Sequence, residues 1–199
     1  VTDTTVDTRA AIVAAALTCF RTRGLRKTSV VDIGRAAGVS RSTIYEYFPD
    51  KRAIVDAASE HASQSFYRTL ARAMARESTL ADQLGSAAVA VSKARRFIDP
   101  GGLSDPAEVN LLLNRNAAAL LAECGRFLTP YLAAATLTGE VRRGLDLDDA
   151  AEWVARILFS LFLTPSERLD IDDHAAVRDF VVEHAVRGLT APTAGRRQP

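Results

Sequence analysis

Cysteine and histidine are both scarce in this chain of 199 residues. Its two cysteines, Cys19 and Cys124, stand far apart, each in an apolar helical pattern. That argues against a disulfide framework or a metal knuckle and fits a reducing cytosol. The three histidines, His61, His174 and His184, show no H-E-x-x-H spacing, and neither a G-x-S-x-G turn nor a glycine-rich phosphate loop is present. Neither cysteine has a sequence-adjacent base, and the pairs Glu60-His61 and Glu183-His184 put their side chains on different faces of a helix. No enzyme, metal site or cofactor is therefore expected. Also missing is an apolar run of the roughly 18 to 20 residues that a membrane span requires. The opening stretch VTDTTVDTR has no signal-type apolar core, so a cytoplasmic protein with no membrane partner is expected. Alternating β-branched segments bounded by turn residues are absent too, while helical periodicity runs nearly from end to end. The fold class is read as all-α.

What is present is enough apolar material for one sizeable core or two small ones, at 48% hydrophobic and 25% charged residues. The net charge of +1 conceals an asymmetry. Residues 1–52 carry nine Lys or Arg and five Asp or Glu, so 9 − 5 = +4, and the remainder carries 16 and 19, so 16 − 19 = −3. The basic N-terminal quarter points toward a polyanion.

A first helix is expected over residues 8–23, with Ile12, Ala16, Cys19 and Phe20 on one stripe; Gly24 supplies a left-handed stop, and Leu25 folds back on the stripe. A second opens at SVVD, where Ser29 accepts from free backbone N–H groups and Asp32 favours the first turn. Ile33, Ala36 and Ala37 are its expected buried side. Gly38 makes a positive-φ turn, and Ser40 caps a third helix whose Ile44 and Phe48 face inward. Pro49 ends that helix. Asp50 caps a long fourth one, from Lys51 to about residue 75, with Ile54, Ala58, His61 and Ala62 at helical spacing. Later helices are expected at about 81–98, 106–114, 116–136, 147–164 and 172–189, broken at DPGG, SDP, TGEVRRG and TPSERLDID.

Two short helices crossing through a glycine turn, with polar groups on the second, suit the major groove of DNA. There a reading helix needs small or polar residues to reach bases and flanking donors to hold phosphates. Arg41 can hydrogen-bond a guanine edge or a phosphate, Ser42 permits close approach, and Tyr45 can touch a thymine methyl or a base edge. Thr43, Tyr47 and Lys51 would clamp the backbone. A lysine at a helix start opposes the dipole, which makes sense beside an anion.

The stretch TSVVDIGRAAGVSRSTIYEYFPDKRAIV resembles the helix-turn-helix of the TetR family of bacterial transcriptional regulators. The likeness covers residues 8–56 in sequence and the rest in architecture. It implies phosphate contacts at Thr43, Tyr47 and Lys51, base approach at Arg41, Ser42 and Tyr45, and further phosphate contacts at Thr28 and Ser29. Val31, Ser42 and Glu46 depart from the residues usual there. A carboxylate near phosphates repels them, unless Glu46 accepts from a cytosine amino group or pairs with Arg41.

One such helix pair reads only a few base pairs, so a homodimer is expected on an operator with half-sites about 34 Å apart, or a multiple of that. The last two long helices are the candidate interface, through Val154, Ile157, Leu158 and Leu161 and through Val177, Phe180, Val181 and His184. Completing a core within one chain is the competing role for these stripes. The resemblance further implies an effector cavity, for which Leu120, Cys124, Phe127 and Tyr131 form one helical stripe that Phe66, Tyr67 and Leu70 are placed to face. Core packing is the more usual role of such stripes. Asn114, Arg115 and Asn116 are polar groups beside an apolar helix, suited to orienting a ligand or to a surface loop. A hydrophobic or amphipathic effector that releases a repressor from DNA is expected, the alternative being DNA binding without a ligand or under the control of a protein partner. The expected organisation is a DNA-binding domain at 1–52, a helical effector-binding and dimerisation domain at 53–190, and a loose tail at 191–199.

Overall fold

The computed structural model describes the backbone of residues 2–98, 106–164 and 166–190 and the side chains of residues 8–94, 117–164 and 166–190. Helices follow in the order α1 (Thr2–Arg23), α2 (Val30–Ala37), α3 (Arg41–Tyr47), α4 (Lys51–Met74), α5 (Leu80–Ile98), α6 (Pro106–Thr138), α7 (Leu147–Leu163) and α8 (His174–His184). A 3-10 turn at Val186–Gly188 and a single antiparallel bridge between Val141 and Thr190 complete the described structure. The chain forms two compact units, Val1–Phe66 with Arg96–Val109, and Tyr67–Arg95 with Asn110–Pro199.

In the first unit, Ile12, Val13, Ala15 and Ala16 of α1 close on Ile33 of α2, Ile44 and Phe48 at α3, and Ile54 and Ala58 of α4. Helix α1 begins at Thr2 rather than near residue 8, since no glycine or proline interrupts the polar lead. It ends as its sequence predicts: Gly24 has φ of +81° and donates to the Phe20 carbonyl at 3.0 Å. The inward side of α2 differs from expectation. Ala36 is exposed, and Gly34 is buried in its place. A Cβ on Gly34 would stand 3.0 Å from the Val39 carbonyl oxygen and 3.2 Å from Ile44 Cδ1, so α2 and α3 cross too closely for a side chain there. On α4, Ile54 and Ala58 are buried but His61 and Ala62 are exposed, because the stripe turns outward once past α1–α3.

The second unit is built on apolar faces of α5, α6, α7 and α8, including Leu84, Ala88, Leu128, Leu132, Val154, Leu158, Val177 and Val181. Its ties join residues far apart in sequence. Thr79 caps α5 by accepting from Asp82 N at 3.1 Å, and the Glu140 carboxylate accepts from Leu80 N at 2.8 Å. Arg178 of α8 donates to Asp82 at 2.8 Å and Ser86 at 3.0 Å, and its other neighbour, Glu77, lies at 3.4 Å. Its stem crosses Gly85, where an added Cβ would come within 2.7 Å of Arg178 Cγ.

Two expected boundaries are corrected. The break near residue 115 does not occur, and α6 is one helix from Pro106 to Thr138, because Asn114, Arg115 and Asn116 carry no backbone constraint that stops a helix. Their side chains lie outside the described residues, as do the expected DPGG break and the tail from residue 191. Helix α8 begins at His174 rather than 172 and stops at His184 rather than 189, since the following turn brings the Leu189 carbonyl to accept from Arg142 N at 3.0 Å.

Candidate nucleic-acid interface

Helix α2 opens on a reciprocal cap. Asp32 N donates to Ser29 Oγ at 3.1 Å, while Ser29 N donates to Asp32 Oδ2 at 2.9 Å and Ser29 Oγ to the same oxygen at 2.6 Å. Arg23 adds an ion pair at 2.7 Å. The hydrogen bonds from Ser29, ahead of the charge of Arg23, hold the Asp32 carboxyl below the usual carboxylate range. Gly38 then turns the chain with φ of +69°, and Val39 N donates to the Gly34 carbonyl at 3.0 Å.

Ser40 starts α3 as expected, accepting from Thr43 N at 3.0 Å, and its hydroxyl also meets those of Ser42 at 2.7 Å and Thr43 at 2.9 Å. Ile44 and Phe48 are buried. Arg41, Ser42, Tyr45 and Glu46 are exposed; Thr43 and Tyr47 are half-buried. The Arg41 guanidinium sits 5.4 Å from the centre of the Tyr45 ring and donates to its hydroxyl at 3.4 Å. Arg41 therefore turns toward Tyr45 rather than toward Glu46, and the two form one exposed, cationic and aromatic ridge.

Not every expected contact lies on that surface. Thr28 is 1% exposed, and its hydroxyl donates to the carbonyls of Gly24 at 2.8 Å and Cys19 at 3.2 Å. Its work is closing α1, and its assignment as a phosphate contact is corrected. Lys51 is half-buried and donates to the Leu25 carbonyl at 2.7 Å, which gives its ammonium a partner within the protein. Asp50 caps α4 by accepting from Ala53 N at 2.8 Å. Tyr47 lines a surface groove with Arg9, Val13, Ala57 and His61. Arg9, which sequence reasoning passed over, places its guanidinium 5.0 Å from the Phe48 ring centre and covers the end of α3.

Residues 12–58, spanning all of α2 and α3, match the family model for bacterial regulatory proteins of the tetR family. Over these residues the chain matches that family. A probable HTH-type transcriptional regulator, ArpR, of Pseudomonas putida is 39% identical over 79 residues, which are 40% of this chain and 37% of that protein. The match thus spans little more than a third of that relative's length. Among solved structures, the fold is shared with the TetR family transcriptional regulator CifR complexed with 26-base-pair operator DNA, at a TM-score of 0.62 and 16% identity, covering 90% of this chain and 95% of that one. It is shared also with the transcriptional regulator FadR from Bacillus subtilis in complex with stearoyl-CoA, at a TM-score of 0.62 and 21% identity, covering 90% and 98%. The fold of this chain, an N-terminal helix-turn-helix followed by a larger helical region, is thus the fold of those structures.

The remaining candidates fall as follows. Leu70 and Cys124 are buried, Leu120 is half-buried, and the rings of Tyr67, Phe127 and Tyr131 run in series at centroid spacings of 5.0 and 5.5 Å. Phe66 is half-buried and belongs to the first compact unit, whereas the others belong to the second. Burial pushes the Cys124 thiol up to about 12 and raises the Tyr67 hydroxyl as well. Both groups are thus held in their neutral forms.

The dimer candidates divide sharply. Val154, Leu158, Leu161, Val177 and Val181 are at most 4% exposed within the single chain, so they build its own core. Their assignment to an interface is corrected, the reason being that each stripe packs against its own unit. Phe180 and His184 are exposed, with rings 4.9 Å apart, and Ile157 is half-buried. Trp153, 48% exposed and beside a sequence-predicted stripe, was overlooked because its register falls one residue off the apolar face.

Proposed function

We propose that the chain is a DNA-binding transcriptional regulator that acts as a homodimer on a two-part operator and is released by a small, largely hydrophobic effector. The observation that carries this reading is the division of α3: Ile44 and Phe48 anchor it while Arg41, Ser42 and Tyr45 stand exposed. Arg41, Ser42 and Tyr45 meet base edges; Ser29, Thr43, Tyr47 and Lys51 meet the sugar-phosphate backbone. The 26-base-pair operator bound by CifR supports DNA as the partner. Paired copies about 34 Å apart supply the affinity that one helix lacks. Their contact uses Trp153, Ile157, Phe180 and His184, which are among the residues of α7 and α8 that keep accessible surface.

The effector reading rests on the apolar series of Leu70, Tyr67, Phe127 and Tyr131 and on the stearoyl-CoA held by FadR. Helix α4 carries Lys51 near the reading helix at one end and Leu70 toward the other. An effector that prefers one tilt of α4 by about 2 to 3 kcal/mol changes operator affinity roughly 30-fold to 150-fold.

The test is to sequence genomic fragments retained by the purified protein and measure binding to the enriched motif over a salt series. A two-part motif and an affinity that falls steeply with salt are expected. Fragments no different from the input would sink the DNA reading. Lipid extract that neither raises the melting temperature nor weakens operator binding would remove the effector alone.

A further inference from the structure

Glu46 lies on the outer side of α3. At 3.6 residues per turn, Ile44 and Glu46 are separated by about 200°, and Ser42 lies about 160° from Ile44 on the same outer side. With Ile44 fully buried, Ser42 and Glu46 point most directly away from the core. On α2 and α3 the two acids have opposite situations. Asp32 is held by Ser29 and Arg23, whereas Glu46 is exposed and forms no hydrogen bond or ion pair among the described residues. Arg41, the one cation on α3, is taken up by Tyr45.

An unpaired carboxylate at the point of closest approach to a polyanion is repelled unless it finds a donor. The major-groove edges offer few. Guanine presents only acceptors there, and thymine an acceptor and a methyl group; adenine offers its amino group beside the N7 acceptor, which opposes a carboxylate. Cytosine offers an amino donor without an acceptor of its own beside it. Resting on the DNA-binding reading above, we propose that Glu46 is a specificity-determining residue that accepts from the cytosine N4 amino group. It thereby requires a cytosine at one fixed position of each half-site, with thymine, whose O4 replaces that donor by an acceptor, the most strongly rejected base.

The protein and its Glu46→Gln and Glu46→Ala variants would each select from randomised duplex DNA, and affinities would be measured for the selected site and its three single-base alternatives at that position. The native protein is expected to prefer cytosine at one position by about fivefold or more, the lower end of what a good base contact supplies. Glu46→Gln, which adds a donor beside its acceptor, is expected to move the preference at that position toward adenine, whose N7 and amino group suit an amide. Glu46→Ala should flatten it while raising affinity for random DNA. Helical content by circular dichroism confirms that each variant is folded; the exposed position makes that the expected result. If both variants select the native motif unchanged, the proposal is overturned, even where Glu46→Ala binds random DNA more tightly, since the carboxylate then only repels phosphates. If the native protein selects no motif at all, the DNA reading itself fails, a result distinct from the first.

Discussion

The two compact units share short-range helix caps but differ in the reach of their longest polar contacts, 26 residues from Lys51 to Leu25 in the first. In the first, α2, α3 and α4 are each capped from close by in sequence: Ser29 serves Asp32, Ser40 serves Thr43 and Asp50 serves Ala53, all three residues apart. In the second, the deciding ties span the chain: Glu140 reaches Leu80 across 60 residues, and Arg178 reaches Asp82 across 96. Local caps fix the directions of α2 and α3 with few residues, which leaves the outer face of α3 free to carry Arg41, Ser42, Tyr45 and Glu46. Distant ties instead make each helix of the second unit depend on its partners. A change at one helix of that unit is therefore felt at another.

The largest test of this contrast is a cavity in each core. Ile44→Ala and Leu158→Ala, both at buried positions, are each expected to destabilise by about 2 to 5 kcal/mol in urea unfolding. Hydrogen exchange should separate them: Ile44→Ala should lose protection chiefly across α1–α3, whereas Leu158→Ala should lose it across α5, α6 and α8 together. Equal loss along the entire chain in either variant would erase the distinction between the units.

The same contrast explains how much of the molecule was legible in its sequence. Gly24, Ser29, Gly38, Ser40 and Asp50 act through residues at most five positions away, and each was read correctly from its neighbours. Gly34 was missed because its role is set by Val39 and Ile44 across a helix crossing. Thr28 looked like a surface hydroxyl; only the fold of the α1 end turns it to the Cys19 and Gly24 carbonyls. In the second unit, apolar stripes told which residues avoid water but not whether the cover is the same chain or another. The stripes of Val154 and Val177 therefore suggest an interface, although both residues are buried within the single chain, while Trp153, outside them, is 48% exposed.

Next in size is Arg178→Met, which keeps the stem over Gly85 and deletes the charge. The side chain is about a third exposed at 32%, so solvent screening keeps the expected loss to about 1 to 2 kcal/mol. A double variant with Asp82→Asn should lose less than the sum of the two single changes, a non-additivity that a contacting pair requires. Simple addition would mean that the tie across the second unit contributes nothing of its own.

A smaller effect is expected at Lys51, whose ammonium serves the Leu25 carbonyl in the free protein. If it also meets a phosphate, Lys51→Ala should weaken binding to every DNA sequence alike and lower the logarithmic salt slope by about one. A slope unchanged by the substitution would confine Lys51 to the fold and leave phosphate contacts to Ser29, Thr43 and Tyr47.

The smallest effect concerns acid, and it places the two units side by side. Asp32 and Asp82 each occupy the third position of a helix capped by a hydroxyl, and in each the capping residue's hydrogen bond is the leading cause that lowers the carboxyl below the ordinary 3.8. A lowered folded value means that the unfolded chain takes up the proton first. The stabilising contribution is therefore fully present above the unfolded value and is lost as pH falls through the folded one. Ser29→Ala and Thr79→Val remove that leading cause from one unit each. Both variants should be less stable than the native protein at neutral pH, by about 0.5 to 2 kcal/mol for a lost cap. Their deficit should shrink as pH is lowered through and below 3.8, since a protonated Asp32 or Asp82 no longer draws on the hydroxyl. Urea unfolding between pH 7 and pH 2 measures the deficit directly. A deficit constant across that range would assign the caps to the backbone N–H groups alone, with no share in holding the carboxylates.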